Sequence, residues 1–143
     1  MTWEDVINSI KEQGGFTPQF RPKAFEELQN IFKKDQSIAR LVVGALIKIS
    51  LNPLPKDMGG PGNRLGKNSQ TGDLRPLLCV KLKNIGIRIV YALNHELNHE
   101  KGIAAKYLTI VVISKREDME VYLEAVKRKP SILGDWPENW NKL

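Results

Sequence analysis

Tyr107–Arg128 reads YLTIVVISKREDMEVYLEAVKR, and its reading decides the class of the fold. Tyr107–Ile113 is almost wholly apolar and rich in β-branched residues, the composition of a buried strand. Ser114–Glu117 then switches to a short basic-acidic turn. Beyond it Val121, Tyr122, Ala125 and Val126 recur at helical spacing among charged residues. That spacing predicts an amphipathic helix over about Glu117–Lys129, stopped by Pro130. A strand handing over directly to a helix gathers Lys115, Arg116 and Tyr122 at one junction, where cations and an aromatic ring can meet a phosphate and a base.

Upstream, Leu77–Lys83 and Ile87–Leu93 read as two further strands, and the tight Asn84–Gly86 connection makes them a hairpin. Before them, Pro53–Pro76 holds Pro53, Pro55, Pro61 and Pro76 with five glycines, which predicts a long ordered or mobile loop. A loop of that length in a compact domain is commonly functional. Further back, Ser37 is placed to cap a helix whose Ile38, Leu41, Val42, Ala45, Leu46 and Ile49 form an apolar stripe, with Asn52-Pro53 as its stop. Pro22 suits the first turn of the preceding helix, which sets Phe25, Leu28 and Phe32 on one side. Phe16–Phe20 is a short edge-strand candidate, since Pro18 cannot serve a central strand. Thr2 and Asp5 make a capping-box-like start for an N-terminal helix that Gly14-Gly15 ends. Trp136 and Trp140, one helical turn apart, are expected to dock on the body. The expected class is α+β, with helices packed on a mainly antiparallel sheet.

At 143 residues the chain is long enough for one domain with a real core, spanning 1–143. Hydrophobic residues at 41% and charged residues at 27% exclude a disordered chain. The formal charge of +6 favours a polyanionic partner, nucleic acid before membrane. A single cysteine, Cys79, cannot form an internal disulfide, which suits a reducing compartment. The longest apolar run, Leu41–Ile47, is too short to span a bilayer, and the acidic N-terminus does not have a signal-peptide layout. A soluble, cytoplasmic protein is expected.

Two motifs lead elsewhere. His95-Glu96-Leu97-Asn98-His99 matches H-E-x-x-H, in which two histidines one helical turn apart bind zinc. Here it follows a strand almost without a gap and runs into Glu100-Lys101-Gly102, so a solvated hairpin loop is the expected setting and no metal is assigned. Met58–Lys67, MGGPGNRLGK, has no G-K-[S/T] ending, so a P-loop is not expected. A basic flap presenting Arg64 and Lys67 to RNA or to a protein partner fits it better.

Several blocks together resemble the RelE group of the RelE/ParE toxin superfamily. They are Cys79-Val80-Lys81-Leu82-Lys83, Gly86-Ile87-Arg88-Ile89-Val90-Tyr91, Lys115-Arg116-Glu117, Glu120-Val121-Tyr122 and Ala125-Val126-Lys127-Arg128. The resemblance covers about Phe16 to Arg128, leaving residues 1–15 as an N-terminal helical extension and 130–143 as a tail. It implies a RelE-like fold of order β-α-α-β-β-β-α, with a mainly antiparallel four-stranded sheet. It also implies a type II toxin, an mRNA interferase that cuts messenger RNA on the ribosome without a cofactor and is held in check by an antitoxin protein. The family's site positions fall on Lys81, Arg88, Arg116 and Tyr122, with Lys83 and Lys115 as further RNA contacts. Cys79 departs from the pattern, because related toxins often carry a second lysine there.

The implied chemistry is attack of a ribose 2′-hydroxyl on the adjacent phosphate, leaving a 2′,3′-cyclic phosphate and a 5′-hydroxyl. Lys81 is the candidate base, Arg88 the phosphate clamp, Arg116 the phosphate stabiliser or acid, and Tyr122 the stacking platform. Ordinary lysine and arginine side chains, with pKa values near ~10.4 and above ~12, are poor proton-transfer groups at neutral pH. Most of the rate must then come from electrostatic stabilisation and positioning on the ribosome. Plainer roles exist for the same residues: Lys81 and Lys83 as an edge strand's solvent face, Arg88 in a local ion pair, Tyr122 in the core. Two other functions suit the same scaffold, a non-catalytic gyrase inhibitor of the ParE type and an RNA-binding module.

Overall fold

The structure is a computed structural model that describes residues 18–98, 102–115 and 118–133, together with residues 8, 12, 13 and 16. Strand β1 (Pro18–Phe20) leads into α1 (Pro22–Lys34) and α2 (Gln36–Leu51). After a 3-10 turn at Lys56–Met58 come the short strands β2 (Asn63–Arg64), β3 (Lys67–Asn68) and β4 (Gly72–Asp73). The long elements β5 (Leu78–Leu82), β6 (Ile87–Asn98), β7 (Gly102–Ser114) and α3 (Asp118–Leu133) follow.

The class is α+β, as expected, but the sheet is larger than the mainly antiparallel four-stranded sheet anticipated. Among the described residues it has five strands in the order β1-β7-β6-β5-β2, and β3-β4 forms a separate two-stranded ribbon. It is also mixed: β1 runs parallel to β7, pairing Pro18 with Leu108 and Phe20 with Ile110, while the remaining pairs are antiparallel. Parallel pairing is possible because two helices intervene in sequence between β1 and the rest of the sheet.

Strand alternation divides the core into two layers. Leu78, Ile87, Ile89, Tyr91, Leu93, Leu108, Ile110 and Ile113 meet Ala24 and Leu28 of α1 and Val42, Leu46 and Ile49 of α2. On the opposite face Cys79, Val90, Ala92, Val111 and Val112 meet Val121 and Ala125 of α3. Val111 and Val112 join the same cluster because β7 bulges there: Val90 pairs with Val112 but Tyr91 with Ile110, leaving Val111 as the extra residue.

Local details correct several expectations. Asp35, not Ser37, caps α2, its carboxylate accepting from the backbone N–H groups of Ser37 and Ile38. Leu41, assigned to the apolar stripe, is 56% exposed. Asn52 terminates α2 as expected. α3 does not stop before Pro130 but continues to Leu133. A proline near the end of a helix removes few bonds, so the preceding turns can still carry it. β6 and β7 outrun their expected lengths, and His95–Asn98 lies inside β6, paired with Ala105–Gly102. The H-E-x-x-H motif therefore begins in extended backbone, and His99 lies outside the described residues. Asn8 and Glu12 are helical, while most of residues 1–15 and the tail with Trp136 and Trp140 lie outside the described residues. No helix among the described residues is long and apolar enough to cross a membrane.

The segment from Pro53 to Pro76 is held in place rather than loose. Tyr91, fully buried, donates its hydroxyl to the Pro53 carbonyl at 3.1 Å. Gly62 packs where a Cβ would strike that hydroxyl, so only glycine fits. The Pro55 and Gly62 backbones form a bridge, and Arg64 forks onto the Asp57 carboxylate at 2.8 and 3.2 Å. Burial, with the Cys79 thiol as the lesser cause, pushes the Tyr91 phenol well above its ordinary value of 10.0. A raised acid in the folded state stabilises the fold fully below the unfolded value and loses that contribution as pH climbs towards the folded value. Denaturant unfolding from pH 8 to 11 should thus show stability falling above about pH 10. Tyr91→Phe should flatten that alkaline limb and, by stranding the Pro53 carbonyl, cost about 1–3 kcal/mol at neutral pH.

Candidate functional site

Antiparallel register brings three of the site's residues into one row. Lys81 of β5 pairs directly with Arg88 of β6, and Arg88 pairs on its other side with Ser114 of β7. Directly paired residues point to the same face, and neighbouring strands lie about 4.8 Å apart, so the row spans about 10 Å across the sheet. Alternation identifies the face. Val80 and Leu82 pack towards α1 and α2, whereas Cys79 packs towards α3, which puts Lys81 on the α3 side. Val90, two residues beyond Arg88, and Val112, two before Ser114, pack towards α3 as well.

α3 supplies the other wall. Val121 and Ala125 are buried against Cys79, Val90 and Val112, which anchors the helix over the sheet. Tyr122, half-buried, packs onto the same cluster and so lies on the face that carries the row. Its partial burial gives it both a structural contact and an accessible surface. Lys115, exposed, directly follows the end of β7 at Ser114. Arg116 lies outside the described residues.

The row is graded in exposure. Lys81 is exposed, Arg88 is half-buried with its Nε atom buried, and Ser114 is 9% exposed. A guanidinium partly withdrawn from water interacts more strongly with an anion than a fully solvated one. Cys79, the departure from the family pattern, is completely buried and fills space among Leu77, Val90 and Val121. Its position is a packing position, and the thiol is not presented to solvent.

Not every expected residue joins the row. Arg64 pairs with Leu78, whose side chain faces α1 and α2, so Arg64 is directed to the opposite face and is engaged by Asp57. Lys67 sits on the separate β3-β4 ribbon, opposite Asp73. That ribbon is tied to the later turns of α3, where Lys129 donates to the Asp73 carbonyl at 2.7 Å. Lys83, exposed, occupies the β5-β6 turn beyond Lys81. Ser114 is the addition that residue-by-residue reading missed. Its only sequence signal is a hydroxyl closing an apolar strand just before a basic turn.

The arrangement can clamp a phosphate between a lysine and an arginine on adjacent strands, with an aromatic ring on the same face. No group of three or more His, Cys, Asp or Glu able to hold a metal ion occurs among the described residues. No protein-family model matches the chain, and no curated protein or solved structure matches it.

Proposed function

We propose that this protein is the toxin of a type II toxin–antitoxin pair, a ribosome-dependent mRNA endoribonuclease of the RelE type. The observation that carries the proposal is the Lys81–Arg88 cross-strand pair on the face that also holds Tyr122. The cationic balance of +6 and the resemblance of the blocks around these residues support it.

In this reading the message lies along the α3 side of the sheet with a phosphate at Arg88. Lys81 takes the proton as the 2′-oxygen bonds to phosphorus. The bond from phosphorus to the 5′-oxygen breaks, and the leaving oxygen receives a proton, for which Arg116 is the assigned donor. Arg88 holds the equatorial oxygens as negative charge accumulates. Tyr122 stacks on a base and aligns the neighbouring ribose. The ribosome supplies the in-line geometry that free RNA rarely adopts. The partners are the ribosome, the message and a cognate antitoxin whose acidic residues complement the basic surface. The cytoplasm is the compartment this requires.

The purified chain, freed of any partner, is expected to arrest a cell-free translation reaction and to leave DNA supercoiling by gyrase unaffected. The reverse pattern would move the assignment to a gyrase inhibitor on the same scaffold. Binding to a message blocked by a 2′-deoxy substitution at the cut site should weaken with salt, the logarithms being linearly related. Each lost phosphate contact on single-stranded RNA reduces the slope by about 0.7. Lys115→Ala should therefore show a slope shallower by about that amount in a titration from 50 to ~200 mM salt. An unchanged slope would remove Lys115 from the interface.

A further inference from the structure

β7 carries apolar side chains through Ile113 and then ends on a serine that is 9% exposed and directly opposite Arg88. Nothing in strand formation asks for a hydroxyl there. A valine would fill the position with a better strand former and no polar atom to satisfy. Arginine, with donors only, needs acceptors that fix the direction of its fork. Directly opposed residues hold their Cβ atoms about 5 Å apart, within reach of a short hydroxyl for the shaft and head of an arginine on the next strand. On the other side of Arg88 stands Lys81, whose amine the nuclease reading commits to the ribose 2′-hydroxyl and not to Arg88. Ser114 is the acceptor that the row itself provides.

We infer that Ser114 is a positioning residue for Arg88. Its Oγ accepts an N–H from the guanidinium and turns the remaining donors towards the phosphate held between Arg88 and Lys81. The inference rests on the nuclease reading above and deepens it. A functional group held by a neighbouring polar atom reaches its target without a search of rotamers, and misplacement by an ångström costs heavily in rate.

Ser114→Thr and Ser114→Val have the same shape and differ by a hydroxyl against a methyl group, so comparing them cancels effects of size and strand propensity. Single-turnover cleavage of a programmed ribosomal message is the readout, with ribosome concentration varied. Ser114→Thr is expected to stay within about threefold of the wild type, and Ser114→Val to lose about 10- to 100-fold in rate. The half-saturating ribosome concentration should move less than about twofold in either, because Ser114 acts on the reacting phosphate through Arg88 and not on docking. In an Arg88→Ala background, Ser114→Val should add no further loss, since the group it positions is gone. Equal rates for the Thr and Val variants, or full additivity with Arg88→Ala, would overturn the assignment. A wild type that never cleaves with ribosomes present would overturn the nuclease reading, and the role of Ser114 with it. Active wild type with an equally active Ser114→Val would overturn the role of Ser114 alone.

Discussion

Arg88→Ala is expected to slow ribosome-dependent cleavage by about 10²- to 10³-fold, the cost of removing one well-placed donor to a charged transition state. Arg88 is the middle member of the Lys81–Arg88–Ser114 row, and so the residue closest to any phosphate that the row holds. Its shaft is half-buried and its Nε buried, which leaves the far end of the guanidinium as the part able to reach a ligand. Arg88→Lys keeps a charge but not the planar fork, so an intermediate loss is expected. The neighbouring core residues Ile87, Ile89 and Val90 are untouched by either change, and thermal unfolding should confirm a folded protein. Cleavage at the wild-type rate by folded Arg88→Ala would remove Arg88 from the site.

The second large effect concerns stability. β1 covers the β7 edge only from Leu108 to Ile110, and the Arg21 N–H closes that stretch by donating to the Ile110 carbonyl. Beyond it the open edge is met by side chains. Arg128 donates to the Val111 carbonyl at 2.6 Å, and the Glu27 carboxylate accepts from the Ile113 N–H at 3.3 Å. Arg128 also binds Glu27 at 2.8 Å and Glu124 at 2.9 Å, which joins α1, β7 and α3 through one guanidinium. With side-chain exposures of 11%, 21% and 16%, these groups are shielded enough that losing one partner strands the others. Arg128→Ala should cost about 3 kcal/mol by denaturant unfolding at neutral pH. Desolvation raises the Glu124 carboxyl, but the hydrogen bond and charge of Arg128 outweigh it and hold Glu124 below its ordinary value of 4.5. A depressed carboxyl contributes stability above its unfolded value and loses it as pH falls through the folded one. The wild type should therefore lose stability below pH 4.5, and Arg128→Ala should show a shallower acid limb there. A change within about 0.5 kcal/mol would mean that the network is only a surface arrangement.

Much of this architecture could be read from local chemistry. The strand-to-helix handover after Ile113, the Asn84–Gly86 turn and the Asn52 stop all depend on neighbours in sequence, and all three occur in the structure. What depended on distant contacts was less legible. The parallel docking of Pro18–Phe20 beside β7 needs an edge left open by the rest of the sheet. The ordering of the Pro53–Pro76 segment needs the buried Tyr91 hydroxyl, 38 residues from the carbonyl it binds. At the site, the resemblance pointed to Lys81, Arg88, Arg116 and Tyr122; Arg116 lies outside the described residues, and the common face of the other three follows from alternation and register. Arg64 looked equivalent as a basic loop residue, yet pairing with Leu78 turns it to the other face. Ser114 was invisible as a participant, because only register sets it against Arg88.

Primer extension on a defined message, with and without programmed ribosomes, tests the central claim most directly when wild type and Arg88→Ala are run side by side. Cuts that need both the ribosome and Arg88, and that leave a 2′,3′-cyclic phosphate, are the predicted result. No cuts from folded, antitoxin-free wild type under either condition would contradict it and leave a non-catalytic binder on this scaffold.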